Sequence, residues 1–155
     1  MTIDWRLMKT DYILRPATAD DFSRIRGLIR SVKINPTGLD WQRFIVAMTP
    51  QSKLIGCGQV KPHGDGTLEL SSIAVIPERR GQGIARAIIE RLLSEYPGKL
   101  YLTCRSGLAP LYEKFGFIPE ESSEMPPYFR RMLKIAIAFR MFFPKSEHLL
   151  VMKKN

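Results

Sequence analysis

The sequence predicts one α/β (α+β) domain over residues 1–155, with a mixed central sheet: an antiparallel N-terminal meander followed by a parallel βαβ half. Two patterns predict the sheet. Three β-prone runs, 44–48, 54–60 and 67–76, are separated by the turn signals Thr49-Pro50-Gln51-Ser52 and Gly64-Asp65-Gly66, as in consecutive hairpins. A strand then ends at Ile76-Pro77, a glycine-rich turn follows, an apolar stripe runs at helical spacing over 84–94, and 99–104 reads as another strand. Strand, helix and strand in that order imply parallel pairing through a right-handed crossover. With 45% hydrophobic and 25% charged residues, a chain of 155 can bury a core and is not disordered.

The remaining elements follow in order. Tyr12-Ile13-Leu14-Arg15 is a short β-prone run ended by Pro16. Thr18 reads as a helix cap with Asp20 and Asp21 in the first turn, and Phe22, Ile25, Leu28 and Ile29 set one apolar face. Asn35-Pro36-Thr37-Gly38 is a loop. In the crossover helix Ile84, Ala85, Ile88, Ile89, Leu92 and Leu93 form the buried stripe. A short helix over 108–115 stops at Gly116, Phe117-Ile118-Pro119 begins a further strand, and 148–153 is the last. Before that last strand, 125–143 reads as a basic amphipathic helix started by Pro127 and stopped by Pro144. Its cations Arg130, Arg131, Lys134 and Arg140 alternate with Phe129, Met132, Leu133, Ala136, Ile137, Phe139 and Phe143.

The net charge is +9, from 24 Lys+Arg and 15 Asp+Glu. Such a field attracts an anion: nucleic acid, acidic lipid or a polyanionic cofactor. From Met125 onward there are seven cations and one acid, so the tail carries +6 of the excess. Two cysteines, Cys57 and Cys104, are too few for a disulfide framework and imply a cytoplasmic thiol protein. His63 and His148 lack ligand-like spacing to them, so no metal is expected. The first 12 residues carry charges unlike a signal peptide, and no stretch approaches the roughly 18 apolar residues of a membrane span.

The chemistry points to the turn Pro77-Glu-Arg-Arg-Gly-Gln-Gly-Ile-Ala85. A helix start offers free N–H groups and the positive end of the dipole, and Gly81 and Gly83 let the backbone approach a ligand. Arg79, Arg80 and Arg86 add charge. This is a diphosphate cradle in physical terms. No Lys-Ser/Thr follows the glycines, which excludes a P-loop, and the spacing does not fit the dinucleotide fingerprint. A glycine turn that merely closes the strand–helix unit is the plainer alternative.

Arg80-Gly81-Gln82-Gly83-Ile84-Ala85 resembles the Arg/Gln-x-x-Gly-x-Gly/Ala signature of the GNAT superfamily of acetyl-CoA-dependent N-acetyltransferases. Three more segments resemble the family in the right order: the opening Leu14-Arg15-Pro16-Ala17-Thr18-Ala19-Asp20-Asp21, the Leu111-Tyr112-Glu113-Lys114-Phe115-Gly116-Phe117 signature, and the closing run Leu149-Leu150-Val151-Met152-Lys153-Lys154. The resemblance implies a GNAT-type mixed sheet of about six or seven strands with about four flanking helices, the 125–143 helix being extra. One departure concerns the segment after 99–104, where many relatives carry an Asn that contacts the cofactor and this chain has none.

The resemblance also implies roles. Arg80, Gly81, Gln82, Gly83, Ile84 and Ala85 would hold the pyrophosphate of acetyl-CoA on their amides, and Ile73, Ala74 and Val75 would pair with the pantetheine arm as an added strand. Tyr112 would protonate the departing thiolate, as a phenol with an ordinary pKa near ~10 can. Glu69 would be the base, with strand alternation putting it on one face with Ser71, Ile73 and Val75. The alternatives are a core aromatic for Tyr112 and a solvent-facing acid for Glu69. His63 reads as a surface turn histidine and Cys104 as a buried small residue.

The expected activity is acetyl transfer to a primary amine of a small molecule or protein, by direct attack on the thioester. The alternative is a CoA-binding or basic nucleic-acid- or membrane-binding module without catalysis. No nucleic-acid signature supports a nucleic-acid partner. For the late helix, packing on its own sheet or over the substrate ranks above peripheral membrane contact; burial in a homodimer interface is a further use.

Overall fold

The structure, a computed structural model, describes residues 10–138 and 147–155. Among the described residues seven strands, β1 (Ile13–Pro16), β2 (Phe44–Met48), β3 (Leu54–Pro62), β4 (Leu68–Val75), β5 (Leu100–Arg105), β6 (Ile118–Pro119) and β7 (Leu149–Lys154), form one mixed sheet in the order β1-β2-β3-β4-β5-β7-β6. By compactness the chain divides into two units: residues up to Val60 with Ser72–Glu95, and Lys61–Ser71 with Tyr96 onward.

The first unit begins with β1 (Ile13–Pro16), which pairs antiparallel with β2 (Phe44–Met48). Between them lies α1 (Phe22–Ser31). Its start is fixed by Asp21, whose Oδ2 accepts the Thr18 N–H at 2.8 Å, and whose carboxylate takes Arg15 at 2.7 Å and Arg24 at 3.0 Å. Asp21 is buried, and these charged hydrogen bonds offset its desolvation. Ile25, Leu28 and Ile29 of α1 pack with Phe44, Val46 and Met48 of β2, and with Leu54, Cys57 and Ala74. β3 (Leu54–Pro62) pairs antiparallel with β2, and β4 (Leu68–Val75) follows it.

The crossover helix α2 (Ile84–Glu95) buries Ile84, Ile88, Ile89 and Leu92. Gly56 and Gly58 of β3 let it approach. A Cβ on Gly58 would lie 2.6 Å from Ile73 Cδ1 and 2.8 Å from Ile88 Cγ2.

In the second unit β5 (Leu100–Arg105) pairs parallel with β4 at Glu69↔Tyr101, and antiparallel with β7 (Leu149–Lys154) from Leu100↔Lys154 to Arg105↔Leu149. β6 (Ile118–Pro119) takes the other edge of β7. Phe117, expected to open that strand, precedes it and is fully buried. The helix expected over 108–115 is shorter. Ser106–Leu108 is a 3₁₀ turn, and α3 covers Ala109–Glu113.

Helix α4 (Pro127–Ala138) begins where Pro127 predicts. The rest of the 125–143 reading, with its stop at Pro144, lies partly outside the described residues. Its inward side chains Phe129 and Leu133 join Tyr101, Met125, Tyr128 and Val151 in a second core, so the helix packs on its own sheet.

The two-residue alternation expected along β4 does not run through. Ser72 has φ +59°, a left-handed conformation inside the strand that breaks the period between Glu69 and Ile73.

Candidate active site

The signature turn is built by backbone. Pro77–Arg79 forms a 3₁₀ turn, Gly81 and Gly83 take φ +75° and +80°, and α2 starts at Ile84. These positive φ values are why glycine stands at both positions. The bond from Ala87 N–H to Gly83 O, 3.0 Å, closes the first helical turn. The N–H groups before it have no acceptor within the helix. A Cβ at Gly81 or Gly83 would meet no atom within 4 Å, so the space over the turn is open. Free amides, the helix dipole and open space suit a diphosphate, and the residues present fit that group.

The arginines contribute less than their number suggests. Arg79 pairs with Asp11 at 2.5 Å and donates to Gln82 Oε1 at 2.8 Å; Arg86 pairs with Glu90 at 2.9 Å. Arg80 is turned to the main chain: its Nε donates to Val75 O and its N–H to Pro77 O, each at 3.3 Å. Ile84 is in the core and Ala85 is half-buried, so both would meet a ligand through main-chain amides.

Just past β4, Ile76 N–H donates to Ile55 O at 3.0 Å, and on the strand Ala74 O would be 3.2 Å from a Cβ on Gly56. Ile76 and Ala74 therefore direct their main-chain groups to β3. Ile73 and Val75, one residue out of phase, direct theirs away from it. The side chains of Ala74 and Val75 are buried, and Ile73 fills the space left by Gly58.

Tyr112 lies on α3, its ring edge-on to Phe117 with centroids 6.2 Å apart. Burial first, and then the nearby Cys104 thiol, push its phenol up to about 12. Tyr112 therefore holds its proton throughout the neutral range. Cys104 donates to Met152 Sδ at 3.7 Å, and burial pushes its thiol up to about 11, which leaves little nucleophilic thiolate.

Glu69 is buried, which removes the solvent-facing alternative. Its Oε1 is 2.9 Å from His63 Nε2. His63 is not the surface histidine that its turn suggests, because its side chain is only 10% exposed. Tyr128 of α4 stacks on the imidazole with centroids 3.5 Å apart and planes 16° from parallel, and Phe129 meets it edge-on at 5.7 Å. Burial, and then the Glu69 charge, raise the Tyr128 phenol. Sequence reasoning missed His63 and Tyr128. The only local signal was that His63 lies two residues before the turn centre at the end of a buried strand.

Among the described residues no group of three His, Cys, Asp or Glu side chains is placed to hold a metal ion, and no helix is long and apolar enough to cross a membrane.

The family model described as an acetyltransferase (GNAT) domain matches residues 40–119, just over half of the chain. No curated protein matches. Solved structures share the fold. N-acetylglutamate synthase from Neisseria gonorrhoeae, complexed with coenzyme A and N-acetyl-glutamate, is 17% identical with a TM-score of 0.71, over 96% of this chain and 36% of that one. The chain thus spans about a third of that enzyme. Rv2747 from Mycobacterium tuberculosis, in complex with CoA, is 22% identical with a TM-score of 0.68, over 92% of this chain and 98% of that one. Ard1 from Thermoplasma volcanium is 13% identical with a TM-score of 0.66, over 94% and 97%. The chain belongs to the GNAT acetyltransferase family.

Proposed function

We propose that this protein is an N-acetyltransferase that moves an acetyl group from acetyl-CoA to a primary amine by direct attack of the amine on the thioester. The observation that carries this reading is the open turn at Gly81 and Gly83, which puts free amides at the start of α2. There the amides of residues 81–85 hold the pyrophosphate, while the Arg80 N–H is already donated to Pro77 O at 3.3 Å and its Nε to Val75 O. The outward main-chain groups of Ile73 and Val75 pair with the pantetheine arm, and Ala74, turned to β3, does not. Acetyl-CoA bound in this way supplies an activated acyl group. The CoA complexes of the similar N-acetylglutamate synthase and Rv2747 structures support this cosubstrate.

Tyr112 serves the leaving group. Its buried phenol stays protonated and hydrogen-bonds the sulfur as negative charge develops there. Glu69 supplies the acid–base centre on the amine side. The test is a panel of amines (protein N-termini, lysine peptides, polyamines and small amines) incubated with acetyl-CoA while free CoA thiol is followed. Amine-dependent thiol release with one acetyl gained per thiol supports the proposal. Bound acetyl-CoA with thiol release at the same rate with and without every amine contradicts it.

A second reading has one observation in its favour. Ile135 and Ile137 on α4 are 49% and 69% exposed beside Arg130, Arg131 and Lys134, a surface suited to an anionic membrane. Vesicles of anionic lipid would retain the protein, in a salt-dependent way, if that surface binds them.

A further inference from the structure

We propose that His63 is the group that takes the proton from the acceptor amine, and that Glu69 is a positioning residue acting through it. The inference rests on the proposed amine acetylation and identifies its base.

The geometry around the pair favours the imidazole. A carboxylate only accepts, so at 2.9 Å the Nε2 of His63 carries the hydrogen and donates it to Glu69 Oε1. That leaves Nδ1 with its lone pair. Glu69 is the deeper partner, its side chain 4% exposed against 10% for His63. Stacked Tyr128 and edge-on Phe129 fix the plane of the ring. A carboxylate that fixes one nitrogen and stabilises the imidazolium is a common way to make the other nitrogen a base.

Charged and aromatic groups surround His63. Glu69 of β4 touches it, and Asp65 of the turn interacts with it electrostatically while accepting the Tyr128 N–H at 3.2 Å. Tyr128 of α4 contributes its ring. Buried Lys61 on β3 is two residues from His63, and Tyr101 of β5 is the register partner of Glu69. Glu69 and Asp65 are thus the acidic groups beside the ring.

The proton balance closes without a further reactant. The ammonium of the acceptor gives one proton to Nδ1, which passes it to water. The freed nitrogen pair forms the C–N bond to the acetyl carbon, the C–S bond breaks, and its electron pair leaves on sulfur. The second surplus proton of the nitrogen ends on that sulfur by way of Tyr112, which gives its own proton and is reprotonated. Products are the amide, CoA thiol and one proton.

His63→Gln, Glu69→Gln and the double variant test this in the full chain, with acetyl-CoA affinity measured beside turnover. The expected result is a loss of about 100-fold or more in kcat for His63→Gln, with unchanged acetyl-CoA affinity. The double variant should be little worse than His63→Gln alone, because the pair acts as one unit. Wild-type turnover retained by His63→Gln would overturn the inference and leave the acetyltransferase reading standing. A wild-type chain that acetylates no amine would instead fail that reading.

Nitrogen NMR of the unmodified ring gives a second test that does not depend on how the variants fold. The chain has only two histidines, so His148→Gln assigns the signals. A neutral His63 protonated on Nε2 supports the inference, and one protonated on Nδ1 overturns it.

Discussion

Arg15 Nη1 lies 2.7 Å from Asp21 Oδ2 at the entry to α1, and this pair ties β1 to the helix start. The Arg15 hydrogen bond, against the cost of burial, lowers the Asp21 carboxyl to about 2 from an ordinary 3.8. A carboxyl lowered on folding adds stability above its unfolded pKa, and that stability is lost as pH falls through the folded value. Asp21→Asn should therefore lower the unfolding free energy by roughly 2 kcal/mol at pH 7, with the difference shrinking between about pH 4 and pH 2. Urea midpoints of both proteins across that range check it.

Tyr112→Phe keeps the ring against Phe117 and removes only the hydroxyl. It should lower kcat by about 10- to 100-fold and leave acetyl-CoA affinity within about twofold. Burial favours the neutral phenol, so wild-type turnover should show no loss from Tyr112 ionisation up to about pH 10, well below its value of about 12. Equal turnover in the variant would remove Tyr112 from the leaving-group side.

Gly58→Ala should destabilise the first unit by about 1–3 kcal/mol. Its Cβ would come within 2.6 Å of Ile73 and 2.8 Å of Ile88, so α2 must shift outward. Thermal melts of the variant read this directly.

The cysteines should be silent. Burial pushes Cys57 up to about 12 and Cys104 up to about 11, so neither thiol should react with a soluble alkylating reagent in the native protein at pH 7.5. Both should react once denatured. Cys104→Ala should keep acetyl transfer within about threefold, as expected when the acyl group never passes through a thiol.

What the sequence made legible was local. Periodicity placed β2 at Phe44–Met48 and α2 from Ile84, and glycine spacing placed the turn at Gly81 and Gly83. Partners distant in sequence were not legible. Gly64-Asp65-Gly66 is a turn, as read, but Tyr128 arrives from 65 residues downstream of His63 and covers the imidazole. No local pattern announces that contact. Ser72 likewise takes a left-handed conformation without being glycine, so nothing local marks the break in phase along β4. Arg79 is neutralised by Asp11, 68 residues away in the chain.

The central claim is that the turn before α2 holds the diphosphate of acetyl-CoA, and calorimetric titration of acetyl-CoA into the wild type and Gly83→Val tests it most directly. Gly83 sits at φ +80° with open space around it, so valine strains the backbone and fills the cradle without touching the core. The account predicts saturable one-to-one binding to the wild type, and loss of that binding in a Gly83→Val protein that still melts cooperatively. An absence of binding by the wild type, or the same affinity in the folded variant, would contradict it.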